Sequence, residues 1–386
     1  MAESAPKKVV VLGSTGSIGE SSLTVARDIP DRMELVGLAA NQSVEPLAKQ
    51  LTEFGIKQGC LYDPTGLDQL CSLVDTDVAL HTGEDGLIEL ATLPEADLVL
   101  IAIVGVAGLR PALAAIEAGK DIAVASKEIL VMAGEAVMSA AREKGVRVLP
   151  VDSEHNAIFQ CLEDRSSKDV SRLILTASGG PFRTLPASEL AKVTKAQALK
   201  HPTWEMGQKI TIDSATLFNK GLEMIEARWL FDIEMDRVDV IVHPQSIVHS
   251  MVEFIDSSIL AQLSTTDMCF PIQYAITWPD RVPNTLPSLD FAELASLEFE
   301  APRWDDFPAL NLAREAGRLG GTLPAVMNAA NEVAVSAFLE ERIPFPGIWN
   351  TVESVMTNHE TIAHPSLDEI IEADRDARSH ASTFLS

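Results

Sequence analysis

The sequence predicts an α/β protein whose N-terminal part is a doubly wound, Rossmann-like domain. Short β-branched runs alternate with stretches of helical spacing up to Val151, and this alternation is typical of a parallel sheet with helices on both faces. A glycine-rich loop follows the first predicted strand. The 386 residues exceed one usual hydrophobic core, so we expect two or three domains.

Five strands and three helices of this first part follow from their residue patterns. The strands are short apolar runs, as buried parallel strands require, and the helices carry apolar residues at helical spacing. The predicted strands are "KKVVVLG", "MELVGLAA", "ADLVLIAIVG", "DIAVAS" and "VRVLPV". The predicted helices are "SIGESSLTVARDI", "PALAAIEAG" and "EILVMAGEAVMSAAREKG". Together they predict a Rossmann-like domain over residues 1–151.

The pattern changes after this point. Four strand-like segments separated by long polar loops predict a central α+β domain over residues 152–279, and they are "RLILTASGGPF", "KITIDS", "VDVIVHP" and "SIVHSMVEF". The run "WPDRVPNTLPSLDF" is dense in proline and polar residues and predicts a linker over 280–304. Helical periodicity in "FPALNLAREAG", "LPAVMNAANEVAVSAFLEE" and "GIWNTVESVMTNH" predicts a small helical domain over 305–386.

Composition argues against several classes of protein. Thirty Lys and Arg against 56 Asp and Glu give a net charge of −26, which repels nucleic acid and anionic membranes. The four cysteines show no CxxC spacing, so we expect buried free thiols in a reducing compartment. The chain starts without an apolar signal core, and no apolar run is long enough to span a bilayer. We therefore expect a cytoplasmic protein.

The loop "GSTGSIG" places Gly13, Gly16 and Gly19 between the first strand and the first helix. Glycines at such a junction allow a tight turn, and the helix N-terminus offers N–H groups to a pyrophosphate. The spacing is GxxGxxG rather than the more familiar GxGxxG, so ordinary loop glycines are the alternative. The second strand ends in Asn41 and Gln42 without the carboxylate that NAD binders place there, which favours NADP. No Arg or Lys stands at this position to bind the 2′-phosphate.

Asp152 and Glu154 follow the strand "VRVLPV". In an extended chain, residues two apart point the same way, so both carboxylates would share one face and would repel each other without a bound dication. The alternative is a helix N-terminus, with Asp152 or Ser153 as its cap and Glu154 in its first turn. The sequence leaves both interpretations open.

The segment "ITIDSATLFNKGLEMIEA", residues 210–227, predicts a strand continuing into a helix with a very polar face. An amphipathic helix whose polar face meets water is one explanation. Since Lys220 would lie opposite the apolar residues of this helix, we expect its loss to change stability little in either case. A phosphate site is the other, because Ser214 at the predicted helix N-terminus, together with Asn and Lys donors, would bind an anion. Glu223 would then be a third hard oxygen ligand for a metal. The polar residues of this face are Thr216, Asn219, Lys220, Glu223 and Glu226.

Seven ordered stretches resemble the 1-deoxy-D-xylulose 5-phosphate reductoisomerase family and cover essentially the whole chain. They are "GSTGSIG", "ASKE", "VDSEHNAIFQ", "SGGPF", "HPTWEMGQKITIDSATLFNKGLEMIEA", "HPQSIVHSMVEF" and "MNAANEVAVSAFL". The resemblance implies a homodimer that converts 1-deoxy-D-xylulose 5-phosphate to 2-C-methyl-D-erythritol 4-phosphate. It also implies NADPH and Mg²⁺, Mn²⁺ or Co²⁺ as cofactors.

The resemblance further implies roles for individual residues. The metal ligands would be Asp152, Glu154 and Glu223. The substrate residues would be Ser153, Glu154, Ser178, His201, Ser214, Asn219, Lys220 and Glu223. The cofactor residues would be Thr15, Gly16, Ser17, Ile18, Asn41, Ser126, Lys127, Glu128 and Gly207. The catalytic residues would be Lys127, Glu154, His201 and Glu223, and Trp204 and Met206 would lie in a closing loop.

Other interpretations remain for several of these features. Lys127 would begin a helix in any case, and His249 fits a core or interface position as well as a substrate contact. His155 would stabilise the fold without touching a metal, and His243 before Pro244 would shape a turn. A plain NADP-dependent dehydrogenase without rearrangement is the alternative function, and a non-catalytic NADP-binding regulator is a third.

Overall fold

The computed structural model describes residues 5–163, 165–204 and 206–385. The chain forms two compact units. The first contains residues up to 129 together with 135–156 and 267–287, and the second contains 130–134, 157–266 and the chain from 288 onward. The four consecutive ranges inferred from the sequence stay a prediction. No helix among the described residues is long and apolar enough to cross a membrane.

The first unit is built on a seven-stranded sheet in which every pair of neighbouring strands is parallel. The strand order β4-β3-β2-β1-β5-β6-β7 changes direction between β1 and β5. Ligands bind at such a switch point, outside the carboxyl ends of the strands. The strands are β1 (Lys7–Leu12), β2 (Met33–Ala40), β3 (Gln58–Leu61), β4 (Ala79–Thr82), β5 (Leu98–Ile101), β6 (Asp121–Val124) and β7 (Val148–Pro150).

Helices follow these strands in the α/β alternation that the sequence predicts. The predicted α/β class with a Rossmann-like sheet is confirmed. In chain order, the helices up to β8 are α1 (Ser17–Asp28), α2 (Val44–Phe54), α3 (Leu67–Leu73), α4 (Gly83–Ala91), α5 (Leu109–Glu117), α6 (Glu128–Lys144) and α7 (Ser153–Leu162). A later helix, α11 (Cys269–Thr277), also belongs to the first unit and packs on α1.

The second unit contains a four-stranded mixed sheet of order β11-β10-β8-β9. Only the β8–β9 pair is parallel. Alternate residues of β8, such as Leu173 and Leu175, enter the apolar core of this unit, as a sheet covered on one face requires. The strands are β8 (Val170–Ala177), β9 (Val238–Val242), β10 (Val248–Phe254) and β11 (Ile259–Leu263).

The remaining helices of the second unit supply most of its core. Phe218, Leu222 and Ile225 of α10 are fully buried there. The last helix, which the sequence patterns did not predict, begins at a capping box formed by Ser366 and Glu369. These helices are α8 (Lys195–Ala198), α9 (Gln208–Thr216), α10 (Phe218–Phe231), α12 (Phe291–Leu294), α13 (Ala309–Leu319), α14 (Leu323–Leu339), α15 (Gly347–Thr357) and α16 (Leu367–Phe384).

The predicted strand "KITIDS" is wrong, because these residues lie in helix α9. The alternating β-branched residues resemble a strand, yet the helix packs between α10 and α14, and this tertiary packing overrides the weak local preference. Thr211 fits the helix by donating its hydroxyl to the Gly207 carbonyl at 2.8 Å. Leu217, in the left-handed region with a φ of 66°, then separates α9 from α10.

The four cysteines are free thiols, but they are not all buried as expected. Cys60 and Cys161 are buried, Cys269 is half-buried and Cys71 is exposed. Burial raises the pKa of the Cys60 thiol to about 12, so this side chain stays an uncharged thiol.

Candidate active site

The glycine loop of the first unit lies where β1 ends and α1 begins. Gly13 has a φ of +97°, and a Cβ there would lie 2.6 Å from the carbonyl oxygen of Ala102, so only glycine fits. Gly16 is the N-cap of α1 and has no side-chain cap. The predicted residues Thr15, Ser17 and Ile18 surround this helix start, whose N–H groups are available to an anion.

The carboxyl end of β2 carries a feature that the sequence analysis missed. Asn41 and Gln42 are exposed there, as expected for residues that meet a cofactor. The Gln42 amide donates to Oδ2 of Asp63 at 2.8 Å, and the Asp63 N–H donates to the Asn41 carbonyl at 2.9 Å. Hydrogen bonds from the backbone N–H and the hydroxyl of Thr65, and from the Gln42 amide, hold the pKa of Asp63 below its usual value. A carboxylate therefore lies beside β2, supplied by the chain that follows β3.

The loop after β5 also borders the glycine loop, which the sequence analysis did not predict. It contacts the glycine loop through the close approach of Ala102 to Gly13, and the Ser126 hydroxyl donates to the carbonyl of Ile103. Residues 102–105 therefore lie at the switch point between β1 and β5. The sequence signal that could have indicated these residues is their position at the end of an apolar strand, because ligands of such sheets bind beyond the strand ends.

Lys127 lies at the start of α6, and its side chain contacts the carboxylate of Asp152. It is the N-cap of α6, as the simple interpretation predicts, but its Nζ also lies 2.7 Å from Oδ2 of Asp152. Both side chains are largely shielded from solvent. Lys127 can therefore hold a carboxylate in place and can supply a positive charge or a proton close to it.

Asp152 and Glu154 lie at the start of α7. The backbone is helical rather than extended here, because the helix begins at Ser153 and the Asp152 carbonyl accepts the Asn156 N–H at 2.8 Å. The two carboxylates nevertheless come together as expected, with an oxygen of Asp152 and an oxygen of Glu154 within 4.8 Å of each other. Glu154 is in the first turn, as the helix-terminus interpretation predicts, and it accepts a hydrogen bond from Ser153 Oγ at 2.5 Å. Carboxylate oxygens are suitable ligands for a hard dication such as Mg²⁺. His155 beside them is fully buried.

In the second unit, Ser178, His201 and Ser214 converge although they are far apart in sequence. Nε2 of His201 lies 3.0 Å from the Ser178 hydroxyl and 3.0 Å from the Ser214 hydroxyl. Nδ1 of the same ring accepts the N–H groups of Thr203 and Trp204 at 3.2 and 2.9 Å. Burial lowers the pKa of His201 to about 4. The ring is therefore neutral near pH 7, and its proton is on Nε2, between the two hydroxyls.

A glycine turn brings Ser178 to Ser214. Gly180 has a φ of +66°, and a Cβ there would lie 2.9 Å from the backbone oxygen of Ser214. The Gly180 N–H donates to Ser178 Oγ at 3.2 Å. Contrary to expectation, Ser214 lies in the last turn of α9 rather than at a helix N-terminus. The helix that begins here is α10, so the residues predicted to bind an anion lie where one helix ends and the next begins.

The polar face of α10 is buried, so a simple amphipathic helix with a solvated face is wrong. Lys220 is 3 % exposed and Glu223 is 1 % exposed, and the two form an ion pair. The Asn219 amide donates to the other oxygen of Glu223 at 2.5 Å. Thr216 ends α9 and does not belong to this face. Buried charges persist only when they are paired, and in this helix Lys220 and Glu223 are partners of each other.

The remaining predicted residues lie around this site. Trp204 and Met206 are half-buried in the segment before α9, and Gly207 is the N-cap of that helix. His243 shapes a turn as expected, because its Nε2 accepts the Ile247 N–H at 3.2 Å. His249 is buried in β10. Glu128, a predicted cofactor residue, is buried in the first turn of α6.

A glycine loop at the switch point of a parallel sheet is typical of a nucleotide-dependent oxidoreductase. The second unit adds a buried lysine and half-buried Asn, Ser and His side chains, which are donors suited to an anionic substrate. Family models described as 1-deoxy-D-xylulose 5-phosphate reductoisomerase and its C-terminal domains match residues 9–134, 148–231 and 263–380. The chain belongs to the 1-deoxy-D-xylulose 5-phosphate reductoisomerase family. The resemblance inferred from the sequence motifs is thereby confirmed.

Similar proteins agree over nearly the full length. Reductoisomerases of this name from Pelotomaculum thermopropionicum and Chlorobium chlorochromatii are 51 % and 52 % identical, covering 97 % of this chain and 97 % and 98 % of theirs. The Zymomonas mobilis enzyme in complex with NADPH is 46 % identical, with a TM-score of 0.93 and 99 % coverage of both chains. A reductoisomerase in complex with NADPH, fosmidomycin and magnesium is 40 % identical, with a TM-score of 0.91 and 98 % coverage of both.

Proposed function

We propose that this chain converts 1-deoxy-D-xylulose 5-phosphate to 2-C-methyl-D-erythritol 4-phosphate, a step of the non-mevalonate isoprenoid route, by rearrangement and NADPH-dependent reduction. The observation that carries the proposal is the buried pair of Lys220 and Glu223 beside Asn219 in the second unit. A protein that only binds a nucleotide has no reason to bury these charges. Family membership over nearly the whole chain supports the same activity.

NADPH is the reductant in this proposal. The helix N-terminus after Gly16 faces the pyrophosphate, and the loop at residues 102–105 with Ser126 borders the rest of the cofactor site. Bound NADPH supplies the hydride that reduces the rearranged carbonyl. The 2′-phosphate is expected at the end of β2, and Asn41 is the residue at that position.

Asp152, Glu154 and Glu223 together hold one Mg²⁺ or Mn²⁺ ion, with Co²⁺ as a further choice. The support is the chemistry of the donors, since all three offer the carboxylate oxygens that a hard dication prefers, and oxygens of Asp152 and Glu154 lie within 4.8 Å of each other. A bound dication polarises the substrate carbonyl and stabilises negative charge on its oxygen. Lys127, held against Asp152, is placed to assist proton transfer near these ligands.

Ser178, His201, Ser214, Asn219 and Lys220 bind the substrate phosphate. The neutral His201 ring donates from Nε2, the serine hydroxyls and Asn219 amide donate as well, and Lys220 supplies the positive charge. Binding energy from the phosphate can then orient the reacting carbons and favour an ordered segment around Trp204 and Met206. Ser153 would contact the substrate beside Glu154.

One experiment tests the activity. NADPH oxidation is followed with 1-deoxy-D-xylulose 5-phosphate in Mg²⁺ or Mn²⁺ and after addition of EDTA, and the product is identified by NMR. We expect metal-dependent oxidation and a branched C-methyl tetritol phosphate. Oxidation that is insensitive to EDTA and leaves an unbranched carbon chain would instead identify the alternative, a plain dehydrogenase.

The protein also forms a homodimer in this proposal. The support is the family and the edge strand β11, which within the described residues pairs only with β10. Ile259 and Leu260 of this strand are 50 % and 43 % exposed, which is unusual for an apolar edge that meets only water. Multi-angle light scattering should give twice the chain mass of 41.6 kDa. A mass of one chain at micromolar concentration contradicts the dimer. The cytoplasmic location stays a prediction.

A further inference from the structure

Asn331 on α14 holds a buried carboxylate of the neighbouring helix α9. Its Nδ2 lies 2.8 Å from Oδ1 of Asp213, which is only 1 % exposed. The other carboxylate oxygen, Oδ2, lies 2.6 Å from Nζ of Lys209, one helical turn earlier. A carboxylate accepts hydrogen bonds but donates none, so the Asn331 amide cannot be reversed without placing oxygen against oxygen.

This amide leaves one of its own polar atoms unsatisfied. Oδ1 of Asn331 is buried and has no hydrogen-bond partner among the described residues. The neighbouring positions Met327, Ala330 and Ala334 of the same helix are apolar and buried, so an apolar side chain would suit this place without that cost. What offsets this cost is the hydrogen bond from Nδ2 to the Asp213 carboxylate, so the contact with Asp213 is the feature that distinguishes Asn331.

This contact concerns the position of α9. Asp213 directly precedes Ser214, whose hydroxyl meets His201 Nε2 at 3.0 Å. Lys209 is in the first turn of the same helix, directly after the segment that carries Trp204 and Gly207. The Asn331–Asp213–Lys209 chain of contacts therefore connects α14 with both ends of α9.

We propose that Asn331 is a positioning residue of the substrate-phosphate site. It orients the Asp213 carboxylate toward Lys209, and the resulting contacts fix α9 so that the Ser214 hydroxyl faces His201. The proposal rests on the proposed function, because that function assigns Ser214 and His201 to the phosphate.

The chain offers a matched control in Asn328. This residue is on the same helix, one turn earlier, and is equally buried. Its Nδ2 donates to Glu332 at 3.0 Å instead of Asp213, and its Oδ1 is also without a hydrogen-bond partner. Asn331→Leu and Asn328→Leu therefore remove the same chemical group from the same core, but only the first change releases Asp213.

Kinetics then separate positioning from packing. We expect Asn331→Leu to raise KM for 1-deoxy-D-xylulose 5-phosphate about tenfold with little change in KM for NADPH, whereas Asn328→Leu leaves both constants near those of the wild type. In an Asp213→Asn background, Asn331→Leu should add little, because its effect passes through that carboxylate. Equal KM values in the two leucine variants, or fully additive effects with Asp213→Asn, would overturn the proposal.

Two further measurements keep the test decisive. Lys209→Met removes the more accessible partner of Asp213 and should also raise the KM for 1-deoxy-D-xylulose 5-phosphate. An unchanged KM in this variant contradicts the proposal, even if Asn331→Leu does not fold. The ¹⁵N NMR signals of the His201 ring, recorded without substrate, should shift in Asn331→Leu but not in Asn328→Leu. If the ring signals stay unchanged in Asn331→Leu, the positioning role is rejected. If instead the wild-type protein does not turn over 1-deoxy-D-xylulose 5-phosphate, only the proposed function is rejected.

Discussion

The backbone N–H of Trp204 donates a hydrogen bond to Nδ1 of His201 over 2.9 Å. Because an accepting nitrogen carries no proton, this contact assigns the ring proton to Nε2. Nε2 lies 3.0 Å from each of the hydroxyls of Ser178 and Ser214. The backbone of the segment before α9 thus determines which hydrogen-bond donor the histidine presents to an anion.

The lowered pKa of His201 predicts a loss of stability in mild acid. In the unfolded chain the ring takes up a proton near its usual pKa of 6.5, but in the folded protein it does so only near 4. Between these values the unfolded state binds more protons, so the contribution to stability falls as the pH falls from 6.5 toward 4. Urea denaturation should show a smaller difference in unfolding free energy between pH 7 and pH 5 in His201→Asn than in the wild type. An equal difference would contradict a buried neutral ring.

Replacement of Lys220 by Met should impair both catalysis and folding. Loss of its charge-assisted bond to phosphate should cost roughly 1.5–3 kcal/mol, or about ten- to a hundredfold in kcat/KM. The sequence predicted little effect on stability, but the buried Glu223 would lose its ammonium partner, which typically costs about 3–5 kcal/mol of unfolding free energy. The kinetic effect should be much smaller with 1-deoxy-D-xylulose, which has no phosphate. Equal effects on both substrates would remove Lys220 from the phosphate site.

Glu223→Gln should weaken metal binding and leave the nucleotide site intact. The amide keeps the shape of the side chain but removes one anionic ligand, so we expect the Kd for Mn²⁺ to rise at least about tenfold, or 1.4 kcal/mol. Electron paramagnetic resonance reports free Mn²⁺, and fluorescence reports bound NADPH. The exposed Glu234 provides the control variant Glu234→Gln. Unchanged Mn²⁺ affinity in Glu223→Gln would show that this carboxylate is not a ligand.

Asn41→Lys should strengthen the preference for NADPH over NADH. A lysine at the end of β2 would pair with the 2′-phosphate and raise the ratio of kcat/KM values about tenfold, or by roughly 1.5 kcal/mol. Asp63→Asn should act in the same direction, because it removes a negative charge beside Gln42. Initial rates with both cofactors give the ratio. A ratio that both variants leave unchanged would place the 2′-phosphate elsewhere.

Gly180→Ala should destabilise the protein more than Gly55→Ala, because only the first change creates a close contact. Gly55 has a similar φ of +65° with no atom near its missing Cβ, so Gly55→Ala measures the backbone cost alone, about 1–2 kcal/mol. Gly180→Ala adds the close contact with Ser214, a further cost of roughly 1–3 kcal/mol. Urea denaturation compares the two. Equal losses would show that the turn can move away from Ser214.

The N-terminal part of the fold was predictable because its central strands are buried on both faces. Such strands, like Val9–Leu12 and Leu98–Ile101, are uninterrupted apolar runs. Helix α9 was not predictable, since its alternating β-branched residues favour a strand and only packing against α10 and α14 makes it helical. Helix α16 was missed because its buried face consists mainly of alanines, which give a weak periodic signal.

The residue types of the site were predictable, but its contacts were not. Spacing within one segment indicated Asn219, Lys220 and Glu223, which are indeed neighbours on one helix. No local pattern indicates that Ser178 and His201, 23 positions apart, meet at 3.0 Å. Asp63 was missed for a related reason, because the short strand β3 that places it beside β2 was not recognised.

The first compact unit takes its residues from three separate parts of the chain, and this affects how it can fold during synthesis. Its second part ends at residue 156 and its third part at residue 287, so 287 − 156 = 131 further residues must be made before the unit is complete. At roughly 5–20 residues per second, a ribosome needs about 7 to 26 seconds for this length. During that interval the surface of α1 that α11 later covers stays open. The nascent chain therefore exposes the surface of an incomplete domain for far longer than its individual helices need to form, and aggregation is the general hazard of such a period.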